Sequence, residues 1–216
     1  MKDTPKAMIG FDRKIDLAWL DAAAGRLATG QSEAEVRAFL WSLLNGAVAG
    51  ETTHSARGKT LTILTRLWLT VPPKAQRLRD AALSRIPAAT VEERLALHWA
   101  MSLASYPFFC EVAASLGKLL ALHGQASLAQ VSRRMTETWG DRSTLPRALQ
   151  RVLRSMMQWG ALRESGEKGT YAPLAQRIPI ANGTAALLIQ AVLVSQGHGM
   201  GLAQASKHAA LFPFEQ

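Results

Sequence analysis

The stretch from Gln125 to Gly160 limits this chain more than any other, because it reads as two short helices joined tightly, the second with arginines on an open face. Leu145, Leu149, Val152, Leu153 and Met156 recur at three- and four-residue steps and form one apolar stripe. Arg147, Arg151 and Arg154 occupy a neighbouring stripe, with Gln150 and Ser155 beside them. One face is built to pack and the other to meet a duplex, which is the pattern of a helix-turn-helix. Ser127 is placed to cap the first helix, and Ser143 or Thr144 the second beside Pro146. Ala161 to Ala172 then reads as a strand, a Gly-containing turn and a second strand, an addition that would make the motif a winged helix. Trp159-Gly160 closes the second helix, with Gly160 suited to a left-handed cap and Trp159 to packing between helix and wing.

Charge points the same way. The 216 residues hold 25 Lys and Arg against 16 Asp and Glu, a formal net charge of +9 that draws the protein toward polyanions. Residues 127–177 carry 9 basic against 4 acidic residues, so more than half of the excess sits on the expected winged helix. A hydrophobic content of 48% is enough for one sizeable core or two small ones. Cys110 is the only cysteine, which rules out an internal disulfide and a cysteine-based zinc cluster and fits a reducing cytoplasm. The beginning of the sequence has no signal-like apolar region, and the run Ala185 to Val194 is about half as long as a bilayer span requires, so a core helix is expected there and no membrane association.

Periodicity predicts a mainly α protein. Ile15 to Leu27 forms a first helix, and Ser32 with Glu35 makes a capping box for a second that carries Val36, Phe39, Leu40 and Leu43. Lys59 to Leu69 and Lys74 to Ser84 are two further helices, the former stopped by Pro72-Pro73. Thr90 and Glu93 form a second capping box, and Tyr106-Pro107 ends one helix and opens the next. Beyond the wing, Thr184 begins a last apolar helix interrupted near Gly197 to Gly201. The expected architecture is an N-terminal helical bundle over residues 1–90, followed over 91–216 by a helix-turn-helix or winged-helix domain with a small β wing and a C-terminal helical extension.

The expected chemistry is contact with DNA. Arginine offers bidentate donors to guanine edges and phosphates, and glutamine can read adenine, so Arg147, Gln150 and Arg151 are candidates for groove contact and Arg154 for the backbone. Arg133, Arg134, Arg142, Ser143, Arg163 and Lys168 surround them in the motif. A second basic group, Arg57, Lys59 and Thr60 with His54 nearby and Arg13, Lys14 and Arg66 as candidate additions, reads either as a solvent-exposed loop or as a helix entrance touching phosphates. Its Gly58-Lys59-Thr60 is not a nucleotide-binding loop, since Thr53 stands where that loop requires glycine and no hydrophobic strand precedes it. The five histidines show no metal-ligand spacing and the carboxylates no paired-acid motif, so neither an enzyme nor a cofactor or metal is expected. The six tryptophans and Tyr171 fall among apolar neighbours and read as packing residues.

Leu97-His-Trp-Ala-Met-Ser-Leu-Ala-Ser-Tyr-Pro-Phe-Phe109, followed by a helix, a short helix-turn-helix and Met157-Gln-Trp-Gly-Ala-Leu162, resembles the BrxA family of bacteriophage-exclusion (BREX) defence systems. The resemblance covers about residues 90–172. It implies a small, non-catalytic, all-helical protein that binds double-stranded DNA and works beside a methyltransferase and other defence components. It also implies that binding falls on Arg142, Arg147, Arg151 and Arg154, with Arg57 and Lys59 adding an N-terminal part. Two other functions compete with this: a protein adaptor within a defence complex, and a transcriptional regulator, which would require a homodimer on a two-half-site operator. Basic helical surfaces also track RNA, but a recognition helix with a wing favours DNA.

Overall fold

Eleven consecutive residues from Leu95 to Ser105 are buried, so one helix, enclosed on every side, runs through the middle of the protein. A computed structural model describes residues 9–197 and 199–215. Four helices come before the central one: α1 (Leu17–Ala28), α2 (Glu33–Leu43), α3 (Ala56–Trp68) and α4 (Gln76–Leu83). The central helix is α5 (Val91–Ser105), and α6 (Pro107–His123) follows directly. Then come β1 (Ala126–Ser127), α7 (Leu128–Trp139), α8 (Leu145–Gln158), β2 (Arg163–Glu164) and β3 (Thr170–Ala172). The chain closes with α9 (Asn182–Gln196), α10 (Leu202–Ser206) and a 3-10 turn, Ala209–Leu211.

Local chemistry sets most of these boundaries. Ser32 with Glu35, Thr90 with Glu93 and Ser127 with Gln130 form reciprocal capping boxes at the starts of α2, α5 and α7. Tyr106 is extended and Pro107 is the first residue of α6, because proline supplies no amide to continue α5 yet fits a first helical turn. The start of α8 departs from expectation. Thr144 is its N-cap in a helical conformation, and neither Thr144 nor Ser143 makes a side-chain cap bond; Pro146 leaves one fewer amide there to be satisfied.

The core is continuous from Ile9 to Phe214 and crosses residue 90 without a break. α9 lies along α5, and Lys74 donates to the carbonyl of Val194 near the α9 C-terminus across 2.9 Å, where a cation suits the helix dipole. Trp99 on α5 meets Phe109, Trp159, Phe212 and Phe214 edge-on, with ring centroids 5.1–6.3 Å apart, and its indole N–H donates to the Ala210 carbonyl. The leader before α1 enters the same cluster. Phe11 packs on Tyr106, Phe109 and Trp159, so the first described residues contribute to the core around the end of α8.

β1, β2 and β3 form one antiparallel sheet in the order β1-β3-β2. Ala126 pairs with Tyr171, while Arg163 pairs with Ala172 and Glu164 with Tyr171. The strand after α6 is thus joined to the hairpin after α8, and the sheet fastens α7 and α8 between them.

A buried polar chain crosses the N-terminal half. The Trp68 indole N–H donates to Nδ1 of His98 across 3.1 Å, which leaves the imidazole proton on Nε2 facing Oδ1 of Asp21 at 3.0 Å. Arg94 meets the same carboxylate oxygen at 3.0 Å. Burial holds His98 below its ordinary pKa against the pull of Asp21, and keeps it neutral. Burial alone would raise Asp21, but the hydrogen bonds and charges of His98 and Arg94 outweigh it and hold the carboxyl low. Three elements, α1, α3 and α5, are joined by this one residue chain.

Candidate nucleic-acid interface

α8 separates its two stripes cleanly. Leu145, Ala148, Leu149, Val152, Leu153 and Met156 are buried, while Arg147 and Arg154 are exposed and Gln150 and Arg151 half-buried on the other side. Residues three and four apart share a helix face, so Arg147, Gln150, Arg151 and Arg154 line one open surface. No acidic residue lies on this helix. The helix also carries the geometry that fixes its far end, since Ser155 is buried and its hydroxyl accepts from the Ile15 amide at 2.9 Å.

The neighbouring basic residues divide into three places. Arg133 is exposed on α7 and Arg134 is half-buried one step round the helix, where it lines a different groove. Arg142 lies in the α7–α8 connection with its guanidinium 5.7 Å from the centre of the Trp139 ring, and Ser143 is exposed next to it. On the hairpin, Arg163 is exposed and its Nε donates to the Pro173 carbonyl across 2.9 Å, which holds the side chain at the sheet edge. Lys168 is exposed on the turn, next to Gly169, whose amide donates to the Glu164 carboxylate. Tyr171 is buried as a packing residue. Burial raises its pKa, the Glu164 charge adds to that and the Arg154 charge opposes it.

The N-terminal basic group is built differently from expectation. Arg57 is only 4% exposed; its guanidinium donates to the Trp41 carbonyl and Asn45, pairs with Glu51 at 3.2 Å and lies 4.0 Å over the Trp41 ring. Thr60 is 1% exposed and its hydroxyl donates to the Ala56 carbonyl. Neither offers a polar atom to a phosphate. The first amides of α3 are also taken: Arg57 donates to Ala49, Gly58 to the Ser55 hydroxyl and Lys59 to the Ser55 carbonyl. Gly58 itself is required by packing, since an added Cβ would overlap the backbone of Thr52 and Thr53. Lys59 alone of the three is exposed.

Arg13 and Lys14 do not join that group. They precede Ile15, whose amide donates to Ser155 on α8, and they pair with Asp12 at 3.3 Å and Asp16 at 2.9 Å respectively. Periodicity had no way to find this, because the contact spans 140 positions of sequence.

Among the described residues no group of three or more His, Cys, Asp and Glu side chains is arranged to hold a metal, and no helix is long and apolar enough to cross a membrane. Cys110 is fully buried, and burial raises its thiol pKa, the state of an inert core residue. Compared with known proteins, the chain matches no protein family, no curated protein and no solved structure.

Proposed function

We propose that this chain is a non-catalytic double-stranded DNA-binding protein in which α6, α7 and α8 with the β2–β3 hairpin act as a winged helix, α8 being the recognition helix. The single observation that carries this reading is the division of α8: a buried apolar face opposite an acid-free surface of Arg147, Gln150, Arg151 and Arg154. The element order helix, strand, helix, helix, strand, strand and the sheet order β1-β3-β2 support it. Arg133, Arg142, Ser143, Arg163 and Lys168 lie in the same motif as contacts to the sugar-phosphate backbone, and Lys59 is an outlying exposed cation. The cellular role that goes with this activity is a component of a bacterial BREX-like defence system acting in the cytoplasm beside other defence proteins, a role carried by the sequence resemblance.

The test is fluorescence anisotropy with 30-base-pair duplexes, matched single strands and matched RNA across a salt series. Duplex affinity is expected to fall steeply with salt, and each phosphate-contacting residue changed to alanine should lower the log–log slope by about 1. Arg147→Glu combined with Arg151→Glu should remove most of the binding. Duplex binding insensitive to salt and to that double reversal would overturn the reading.

An adaptor function is the second reading, favoured by one observation. Leu202 is 69% exposed beside an apolar groove lined by Ile189 and Leu193, a surface with no role in DNA contact.

A further inference from the structure

A second basic surface contains no residue of α8, and it is concave. A groove of about 950 Å³ runs between the C-terminal half of α6, Arg134 on α7, the chain after β3 and the C-terminal segment around the 3-10 turn. That volume is at the upper end of the range of about 300–1,000 Å³ that takes one small molecule. Its existence depends on a single small residue: at Gly117 an added Cβ would overlap the Ala209 carbonyl, so the C-terminal turn can lie directly on α6 only because that residue is glycine.

Every charged residue lining the groove is basic. Lys118, Arg134, Arg177 and Lys207 come from four different segments, His208 lies among them, and no Asp or Glu lines the groove. None of the four cations forms an ion pair or a side-chain hydrogen bond within the described residues. That contrasts with Arg57, Arg79 and Arg94, each of which is held by a carboxylate. His208 registers the local field: burial first, and then the charge of Lys118, lower its pKa. Between the cations the surface is apolar, with Leu174, Leu211 and the half-buried Phe212 ring.

Four unpaired cations around an apolar floor select a ligand that combines several negative charges with a flat or apolar body. A monocarboxylate has too little charge, and an inorganic anion leaves the floor unused. Two of the four, Arg134 and Arg177, carry guanidinium groups, which favour phosphate oxygens because they can meet them in pairs. We propose that this groove binds a nucleoside phosphate, as a small-molecule site separate from the duplex-binding face of α8.

The experiment is a fluorescence titration of the full chain with N-methylanthraniloyl-ADP, followed by displacement with unlabelled ADP, adenosine and inorganic pyrophosphate. Saturable binding is expected, with displacement by ADP and much weaker displacement by adenosine and by pyrophosphate. Lys118→Glu with Lys207→Glu should weaken it by tenfold or more, equivalent to about 1.4 kcal/mol. Both positions are exposed, and Arg177→Glu, on exposed chain, serves as an independent variant should the pair fail to fold. Arg147→Glu with Arg151→Glu should leave nucleotide binding unchanged. The proposal is overturned by lack of saturation at about 1 mM probe, a concentration at which even a weak site fills. It is equally overturned by unchanged binding in the folded groove variants, or by pyrophosphate displacing the probe as well as ADP. Loss of duplex affinity in the groove variants as large as in the α8 variants would assign the groove to the duplex surface and also overturn it. Duplex binding and nucleotide binding are read separately, so failure of one leaves the other standing.

Discussion

The indole N–H of Trp159 donates to the carbonyl oxygen of Ile15 across 2.8 Å, joining residues 144 positions apart. Next to it the Ile15 amide donates to Ser155, and the Leu17 amide to the Gln158 side chain. The last turn of α8 is therefore fastened to the leader and to the first turn of α1. The base of α8 is thus held by chain more than a hundred positions away in sequence.

Trp159→Phe keeps most of the ring packing and removes the donor, leaving a buried carbonyl unpaired. The expected cost is about 1–3 kcal/mol, read as a lower midpoint in urea or thermal unfolding. Amide exchange at Ile15 and Leu17 should speed up more than exchange on α5. Equal acceleration throughout would mean that the bond does not fasten the leader locally.

Arg57 and Lys59 should separate cleanly by assay. Arg57→Ala removes a buried guanidinium with its hydrogen bonds and its stacking on Trp41, for an expected loss of about 2–3 kcal/mol in stability, with duplex affinity of the folded protein unchanged. Lys59→Ala should stay within about 0.5 kcal/mol of the parent. A large fall in duplex affinity on Arg57→Ala without loss of stability would contradict the intramolecular role.

Stability should decline on acidification, beginning near neutrality. His98 has a lowered pKa in the folded state, so below about 6.5 the unfolded chain takes up a proton that the folded one does not, and stability is lost as pH falls toward the folded value. Asp21 is also lowered; its contribution is present above its ordinary value of about 3.9 and is lost at still lower pH. His208 acts in the same direction as His98. Urea unfolding of the parent and of His98→Gln at several pH values between 7.5 and 5 checks this with an expected outcome of reduced, not abolished, pH dependence in the variant. Identical slopes in the two proteins would refute the assignment.

Gly117→Ala should destabilise by about 1–3 kcal/mol, because the added methyl must push the C-terminal turn off α6. Gly124→Ala, at the left-handed C-cap just after the same helix, makes a useful contrast, since an added Cβ meets no neighbour there and is penalised only by the positive φ of 73°. Thermal melts of the two variants distinguish crowding from backbone strain. A neutral Gly117→Ala would mean that the turn moves freely.

What the sequence determined by itself was local. The capping boxes at Ser32 and Thr90, the cap at Ser127, the break at Tyr106-Pro107 and the two stripes of α8 depend on residues within one or two helical turns of each other, where spacing and geometry coincide. The helix over 59–69 was also legible, although it begins three residues earlier, at Ala56, because Ser55 caps it. The environment of each charge was decided only in three dimensions. Arg57 and Thr60 look like neighbours of Lys59 in sequence, yet a helix turns successive residues by about 100° and sends the two of them inward while Lys59 points out. Likewise the leader's place against α8 and the groove that gathers Lys118, Arg134, Arg177 and Lys207 arise from segments far apart in the chain. Long-range packing brings them together, and packing of that kind leaves no period for a sequence to display.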